Sequence, residues 1–185
     1  MEDRFHDNII EQCKKGNRKA QTELYRIYYR GMYNVSLRIL NNAAEAEDAM
    51  QEAFIAAFRQ LESFRGDVNF GGWLKKIVIN RSIDQLRKRR NFISDLSKLS
   101  EKIEDQQPEQ RFEEDISADM IKKAINKLPD NYRIVLSLFL LEGYDHDEIA
   151  EILGISNGSS RIIYHRAKEK LKMDLLALKL EVNNV

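Results

Sequence analysis

Lys76, Asn80, Asp84 and Arg87 follow one another at spacings of three or four residues, which puts them on one stripe of a helix. Lys75, Arg81, Lys88, Arg89 and Arg90 surround that stripe with positive charge. Just before it, Ser63 to Gly72 reads as a loop holding three glycines and two aromatics, Phe64 and Phe70, with Arg65 among them. The chemistry these residue types offer is binding. Cations neutralise phosphate, asparagine hydrogen-bonds a base edge, and an aromatic ring can stack on a base that has left the duplex. A basic helix ending in Arg-Lys-Arg-Arg would by itself be a solubilising tail. The aromatic loop and the asparagine inside the stripe point to DNA.

A second constellation spans Tyr144 to Lys168. Asp145 is placed to cap a helix, its carboxylate accepting from free N–H groups one turn on. Ile149, Ile152 and Leu153 follow at helical spacing as an apolar face. Gly154 supplies the left-handed residue that ends such a helix at least cost, and Ser156 can cap the next one. Asn157, Ser159, Arg161, Tyr164, His165 and Lys168 then fall around the exposed first turns of the second helix. Its inner stripe is Ile163, Ala167, Leu171, Leu175 and Leu178. This is the outline of a helix-turn-helix, whose second helix enters a DNA major groove. An ordinary helical hairpin has the same outline, so the rest of the chain must decide.

No catalytic chemistry competes with these readings. His6, His146 and His165 are far apart, and the single cysteine, Cys13, allows neither an internal disulfide nor a zinc spacing. No Ser/His/Asp arrangement, paired carboxylate or metal cluster is evident, so neither enzyme activity nor a cofactor is expected. No apolar run reaches the length of a membrane span, and Met1-Glu2-Asp3-Arg4 lacks the basic-then-apolar start of a signal peptide. The expectation is a cytoplasmic protein with no membrane insertion.

Over 185 residues, 30 basic and 30 acidic side chains cancel. That argues against a general nucleic-acid coat protein and moves the question to how charge is distributed. Residues 1–90 carry 17 basic and 12 acidic side chains, a net +5. Residues 91–115 carry 3 and 8, a net −5, with Pro108 among glutamines, and read as a flexible acidic linker. The remainder is balanced.

The elements that must position these residues are helices, since proline and glycine are scarce. Two are expected between residues 5 and 40, broken at Gly16-Asn17, with Leu24, Ile27, Tyr28, Met32, Val35, Leu37 and Ile39 on the apolar side of the second. Asn41-Asn42 breaks the run, and Ala43 to Glu62 is the next helix, burying Met50, Phe54, Ala57, Phe58 and Leu61. Its other face mixes Glu45, Asp48, Gln51 and Glu52 with the apolar Ile55; an acidic face can be plain solvated surface, and one with a glutamine and an exposed isoleucine can also dock a basic partner. Trp73 to Arg90 is helical, with Trp73, Ile77, Ile83 and Leu86 inward. In the second half, Met120, Ile121, Ala124, Ile125 and Leu128 form one stripe, closed by Pro129. Asp130 can cap the following helix, which carries Tyr132, Val135, Leu136, Phe139 and Leu140 and ends at Gly143.

With both halves read, the chain resembles a short bacterial sigma factor of the sigma-70 family, of the extracytoplasmic-function type. Ala46-Glu47-Asp48, Gln51-Glu52 and Phe54 resemble the family's polymerase-docking helix. Phe64, then Trp73-Leu74-Lys75-Lys76-Ile77, Asn80, Ile83-Asp84 and Leu86-Arg87 resemble its promoter-melting region. Leu128-Pro129, Glu142-Gly143-Tyr144, Glu148-Ile149-Ala150, Leu153-Gly154-Ile155 and His165-Arg166-Ala167 resemble its C-terminal region. The chain departs from the family where Ser160 replaces an apolar residue, where Ile163 stands for a basic or polar one, and where Gly71-Gly72 replaces a polar or basic pair.

The resemblance implies an all-α fold of two small helical domains joined by the linker: sigma region 2 over residues 1–90 and sigma region 4, with the helix-turn-helix, over 116–185. It implies that Asp48, Gln51, Glu52 and Ile55 bind the β′ clamp helices of core RNA polymerase. Phe64, Arg65, Lys76, Asn80, Arg87 and Lys88 would recognise and melt the −10 element of promoter DNA. Ser159, Arg161, Tyr164, His165, Arg166 and Lys168 would read the −35 element, with the same domain touching the polymerase β flap. An anti-sigma protein is a further implied partner. Two rivals share parts of the pattern. A dimeric helix-turn-helix regulator leaves residues 64–90 without a task, and a recombinase or nuclease lacks its nucleophile or metal acids.

Overall fold

The computed structural model describes residues 2–66, 69–89 and 117–183, with side chains from residue 8 onward except 118–119 and 178–183. The expected linker at 91–115, Arg90, and the side chains of Phe5, His6 and Leu178 lie outside the described residues. All regular structure among the described residues is helical. The chain divides into two compact units, the first ending at Lys88.

The first unit comprises α1 (Glu2–Lys14), α2 (Arg18–Leu40), α3 (Ala43–Arg59), a 3-10 turn at Leu61–Ser63 and α4 (Phe70–Lys88). Short polar side chains set the boundaries. Asn17 Oδ1 accepts from the N–H groups of Lys19 and Ala20 and starts α2. Asn41 adopts φ 50°, the left-handed conformation that asparagine tolerates better than other residues with a Cβ, and ends it. Asn42 then caps α3 through Ala44 and Glu45. The Asn-Asn pair is therefore a stop followed at once by a start.

α2, α3 and α4 pack against one another, and α1 rests on α2. α3 offers them Ala46, Ala49, Ala53 and Ala57, all buried, so neighbouring backbones approach closely. Between α2 and α4 a polar contact lies in the interior. Ser36 Oγ and Ser82 Oγ lie 2.9 Å apart, both fully buried. Ser82 donates to the Val78 carbonyl, which leaves Ser36 as donor to Ser82.

Four details differ from the sequence expectation. Ile27, expected on the apolar side of α2, is exposed. α3 ends at Arg59 rather than Glu62, because the chain tightens into the 3-10 turn. α4 begins at Phe70 rather than Trp73, because Asn69 Oδ1 accepts from the Gly72 N–H at 2.7 Å. Trp73 and Ile77 are only half-buried; Leu74, Val78, Ile79 and Ser82 take the interior with Ile83 and Leu86.

The second unit holds α5 (Ala118–Lys127), α6 (Asp130–Leu136) running into a π-turn (Ser137–Leu141), α7 (His146–Leu153) and α8 (Asn157–Asn183). α8 is the spine on which α5, α6 and α7 pack. α6 is not a one-faced helix. Arg133 through Leu138 are all buried, and the cation at Arg133 is tolerated because Asp130 pairs with it at 2.7 Å. Asp130, expected as a cap, serves as that counter-ion instead. The Glu142 N–H reaches back to the Ser137 carbonyl at 3.0 Å, a five-residue bond that widens the turn. Leu140, expected inside, is 50% exposed within it, and Ile121 is also exposed.

The two serines give an asymmetric expectation. Ser82→Ala removes the acceptor and strands the Ser36 hydroxyl in the interior, at about 1–3 kcal/mol, whereas Ser36→Ala leaves Ser82 bonded to Val78 and costs about 1 kcal/mol. Denaturant unfolding followed by the fluorescence of Trp73, the one tryptophan and part of this unit, measures both. Equal losses would contradict the assignment of donor and acceptor.

Candidate nucleic-acid and protein interfaces

α4 turns its polar stripe outward because its opposite side is sealed by Leu74, Val78, Ile79 and Ile83. Lys76, Asn80, Asp84 and Arg87 are all exposed, as are Arg65, Arg81 and Lys88. Arg87 pairs with Asp84 at 3.3 Å within the stripe. At such exposure an ion pair of this kind orients the guanidinium more than it stabilises the fold.

Phe64, expected among the DNA contacts, is buried. Its ring packs edge-on to Phe70 at 5.5 Å and against Trp73 at 5.2 Å, and Phe70 meets Tyr28 at 5.3 Å. An aromatic so enclosed cannot stack on a base; it is the floor beneath the start of α4. Gly71 explains the departure noted in the sequence. A Cβ there would stand 3.0 Å from the Tyr28 ring, so glycine is what lets α4 begin this close to α2.

α3 presents a different surface. Asp48, Gln51, Glu52 and Ile55 are exposed together, the last at 52%. Gln51 Nε2 donates to Glu47 at 3.2 Å. Acids and an amide around one open aliphatic side chain make a surface for a basic, partly apolar protein element rather than for a polyanion.

The helix-turn-helix is built as its residues indicated. Asp145 accepts from the Asp147 and Glu148 N–H groups at 2.9 and 2.8 Å, and Glu148 returns a bond to the Asp145 N–H at 2.9 Å, closing a capping box. Gly154 adopts φ 70°. Ser156 Oγ accepts from the Ser159 N–H at 3.0 Å and starts α8. Ser159, expected at DNA, also pairs its hydroxyl with Ser156 at 2.8 Å and belongs to that cap.

Arg161, His165 and Lys168 are exposed on α8 and Arg166 is half-buried. Tyr164 is not free. Its ring lies 4.5 Å from Phe139 and 5.4 Å from His146, with the Lys168 ammonium 5.7 Å above it. Ser160 and Ile163, the two departures from the family pattern, are both fully buried. Ile163 fills the core, and Ser160 Oγ meets His146 Nδ1 at 2.9 Å. The sequence alone did not reveal this contact. His146 is stacked on Phe139 at 4.7 Å, and burial, then the Arg161 charge, hold its pKa below the usual histidine value against the opposing pull of Asp145 and Asp147.

Nothing among the described residues gathers a metal-binding group of His, Cys, Asp and Glu. No helix there is long and apolar enough to cross a membrane. Cys13 is buried, and its burial, with Glu23 nearby, pushes the thiol up to about 11, so it stays protonated near neutrality.

The chain matches two family models, "Sigma-70 region 2" over residues 24–92 and "Sigma-70, region 4" over 118–171. It is 35% identical over 176 residues to the ECF RNA polymerase sigma factor SigW of Bacillus subtilis, covering 90% of this chain and 94% of that protein. It is 30% identical over 182 residues to the ECF RNA polymerase sigma-E factor of Escherichia coli K12, covering 92% and 95%. Among solved structures it shares its fold with the sigma factor RpoE in complex with the anti-sigma factor NepR from Bartonella quintana. The TM-score there is 0.55 at 23% identity, over 83% of this chain and 95% of that one.

The depressed histidine has a definite pH consequence. Neutral His146 is favoured in the folded unit, so its contribution is present above the unfolded pKa of about 6.5 and is lost as pH falls through the lower folded value. Hydrogen exchange of α7 and α8 amides, converted to opening free energies, should show this acid-side loss. His146→Phe should abolish it; an unchanged pH dependence would exclude His146 as its source.

Proposed function

The chain belongs to the sigma-70 family of RNA polymerase sigma factors, in its extracytoplasmic-function group, and from that premise we propose how its surfaces divide the work. As a sigma factor it binds core RNA polymerase and directs initiation at promoters through their −10 and −35 elements. The residue assignments are our own reading. The first unit is region 2 and the second region 4, and residues 91–115 link them.

The exposed face of α3, with Asp48, Gln51, Glu52 and Ile55, docks on the β′ clamp helices. The combination of open aliphatic and acidic groups supports this. Arg65, Lys76, Asn80, Arg87 and Lys88 hold the −10 element. The observation that carries the reading is Asn80, exposed in the middle of a cationic stripe whose helix is locked from behind. Opening DNA costs a few kcal/mol per unstacked base. Phosphate contacts and hydrogen bonds to a captured base must offset that cost, because the buried Phe64 contributes by supporting the helix and not by stacking. Arg161, His165, Arg166 and Lys168 face the −35 duplex, with Tyr164 and Ser159 holding the helix that presents them. Region 4 also contacts the polymerase β flap. An anti-sigma protein is the expected inhibitor, acting in the cytoplasm where polymerase works. The polymerase supplies all the chemistry; this chain supplies none.

In vitro transcription with core polymerase tests the whole: a transcript from a defined start should require this chain. Asn80→Ala should slow promoter opening, read by permanganate reactivity of unpaired thymines, at least about tenfold more than it weakens closed binding, the scale of one lost base contact. Equal loss of both would assign Asn80 to the intact duplex. Ile55→Glu should weaken assembly with core polymerase by about tenfold or more, as expected for a buried interface anchor, and leave the free chain folded. Unimpaired assembly would remove α3 from the interface.

A further inference from the structure

Three side chains join α7 to the front of α8 in a relay, and two of them, Asp147 and Asn157, are left without a task by the assignments above. Asp147 Oδ1, in the first turn of α7, accepts from Asn157 Nδ2 at 2.6 Å. Asn157 Oδ1 accepts from Arg161 Nε at 2.7 Å. The partners fix the amide orientation. A carboxylate only accepts and a guanidinium only donates, so Asn157 must turn its NH2 to one and its carbonyl to the other. Neither an acid nor an alanine at position 157 could bridge them.

Arg161 is exposed on the side of α8 away from the buried Ser160, Ile163 and Ala167. One turn earlier on that side is Gly158, whose missing side chain would meet nothing closer than 3.8 Å. The relay engages Nε and leaves both Nη groups of this exposed side chain with no further hydrogen-bond partner among the described residues. Hydrogen bonds at this exposure contribute little to folding. What they do is restrict a side chain of high rotamer freedom before it meets its target. A phosphate contact needs charge more than aim, whereas a base edge needs a fixed fork, and guanine presents O6 and N7 side by side for one.

We propose that Asn157 and Asp147 are positioning residues that aim Arg161 at a guanine in the major groove, so that the duplex element read by this chain carries guanine at the position facing Arg161. The inference rests on the assignment of α8 to the −35 element.

The test is selection from promoters randomised across the −35 element, using the full chain assembled with core polymerase, followed by sequencing. The wild type should enrich guanine at one position. Arg161→Ala and Asn157→Ala should each reduce that enrichment by about tenfold while other positions keep theirs. Asp147→Ala, which breaks only the outer link, should act at the same position in smaller degree and serves if Asn157→Ala folds poorly. The double variant Asp147→Asn/Asn157→Asp keeps the net charge. Its new amide donates to its new carboxylate, which still accepts from Arg161 Nε, so the guanine preference should return. Weakening spread evenly over all positions in Asn157→Ala, or no rescue in the double variant, overturns the proposal. So does a drop of about one in the salt slope of Arg161→Ala with no positional change, which would mark a phosphate contact. If the wild-type holoenzyme enriches no −35 base at all, the assignment of α8 fails first, and the relay proposal with it.

Discussion

A helix that buries one side has only the other to offer, and in the first unit the side given up is decided by α3. Its four inward alanines let α2 and α4 close on it without a bulky layer between them. Close packing of this kind fixes rotation as well as distance, since a turned α3 would drive Asp48 or Glu52 into the interior at the cost of burying an unpaired charge. With rotation fixed, Asp48, Gln51, Glu52 and Ile55 stand outside together, and the stripe of α4 stands outside independently of them. The acidic surface and the basic surface of one small bundle thus follow from the same packing. The Ser36–Ser82 bond adds direction to it: a hydroxyl pair meets in only one register of α2 against α4.

Region 4 solves the same problem with different materials. Its spine, α8, must bury Ser160, Ile163 and Ala167 while leaving Arg161 and His165 in the open. Apolar burial alone would hold the helix but only loosely fix its rotation, because Ile and Ala are tolerant neighbours. The polar Ser160–His146 contact and the stack of His146 on Phe139 give that rotation a definite value. The rotation is fixed by a hydrogen bond, which ties it to the protonation state of one imidazole.

What the sequence disclosed was local. The Asn41-Asn42 break, the Asp145 cap, the left-handed Gly154 and the Ser156 cap each depend on a few adjacent residues, and each could be named in advance. The outward stripes were legible for the same reason, since helical spacing alone puts Lys76, Asn80 and Arg87 in line. What was hidden depended on partners distant along the chain. Phe64 looked like a stacking surface because its enclosure comes from Phe70, which the loop reading left outside the helix, and from Trp73 nine residues on. Tyr164 looked free because Phe139 lies 25 positions away. Asp130 looked like a cap because nothing local announces that Arg133 would be buried and need it. The π-turn at Ser137–Leu141 has no sequence signature at all, and it displaced Leu140.

Charge explains why such modest surfaces suffice. DNA affinity independent of sequence rises with the number of phosphates neutralised and falls steeply with salt. The +5 of residues 1–90 is cancelled within the chain by the −5 of residues 91–115, and the rest is neutral. A chain so balanced gains little from wandering along DNA, and each exposed contact it owns is weak in isolation. Those contacts become decisive only when another body holds the chain against the promoter, because a tethered site meets its target at a high effective concentration. Docking by α3 is therefore not an accessory to recognition. On the proposed assignment, it would be the step that turns a handful of weak contacts into a selective one.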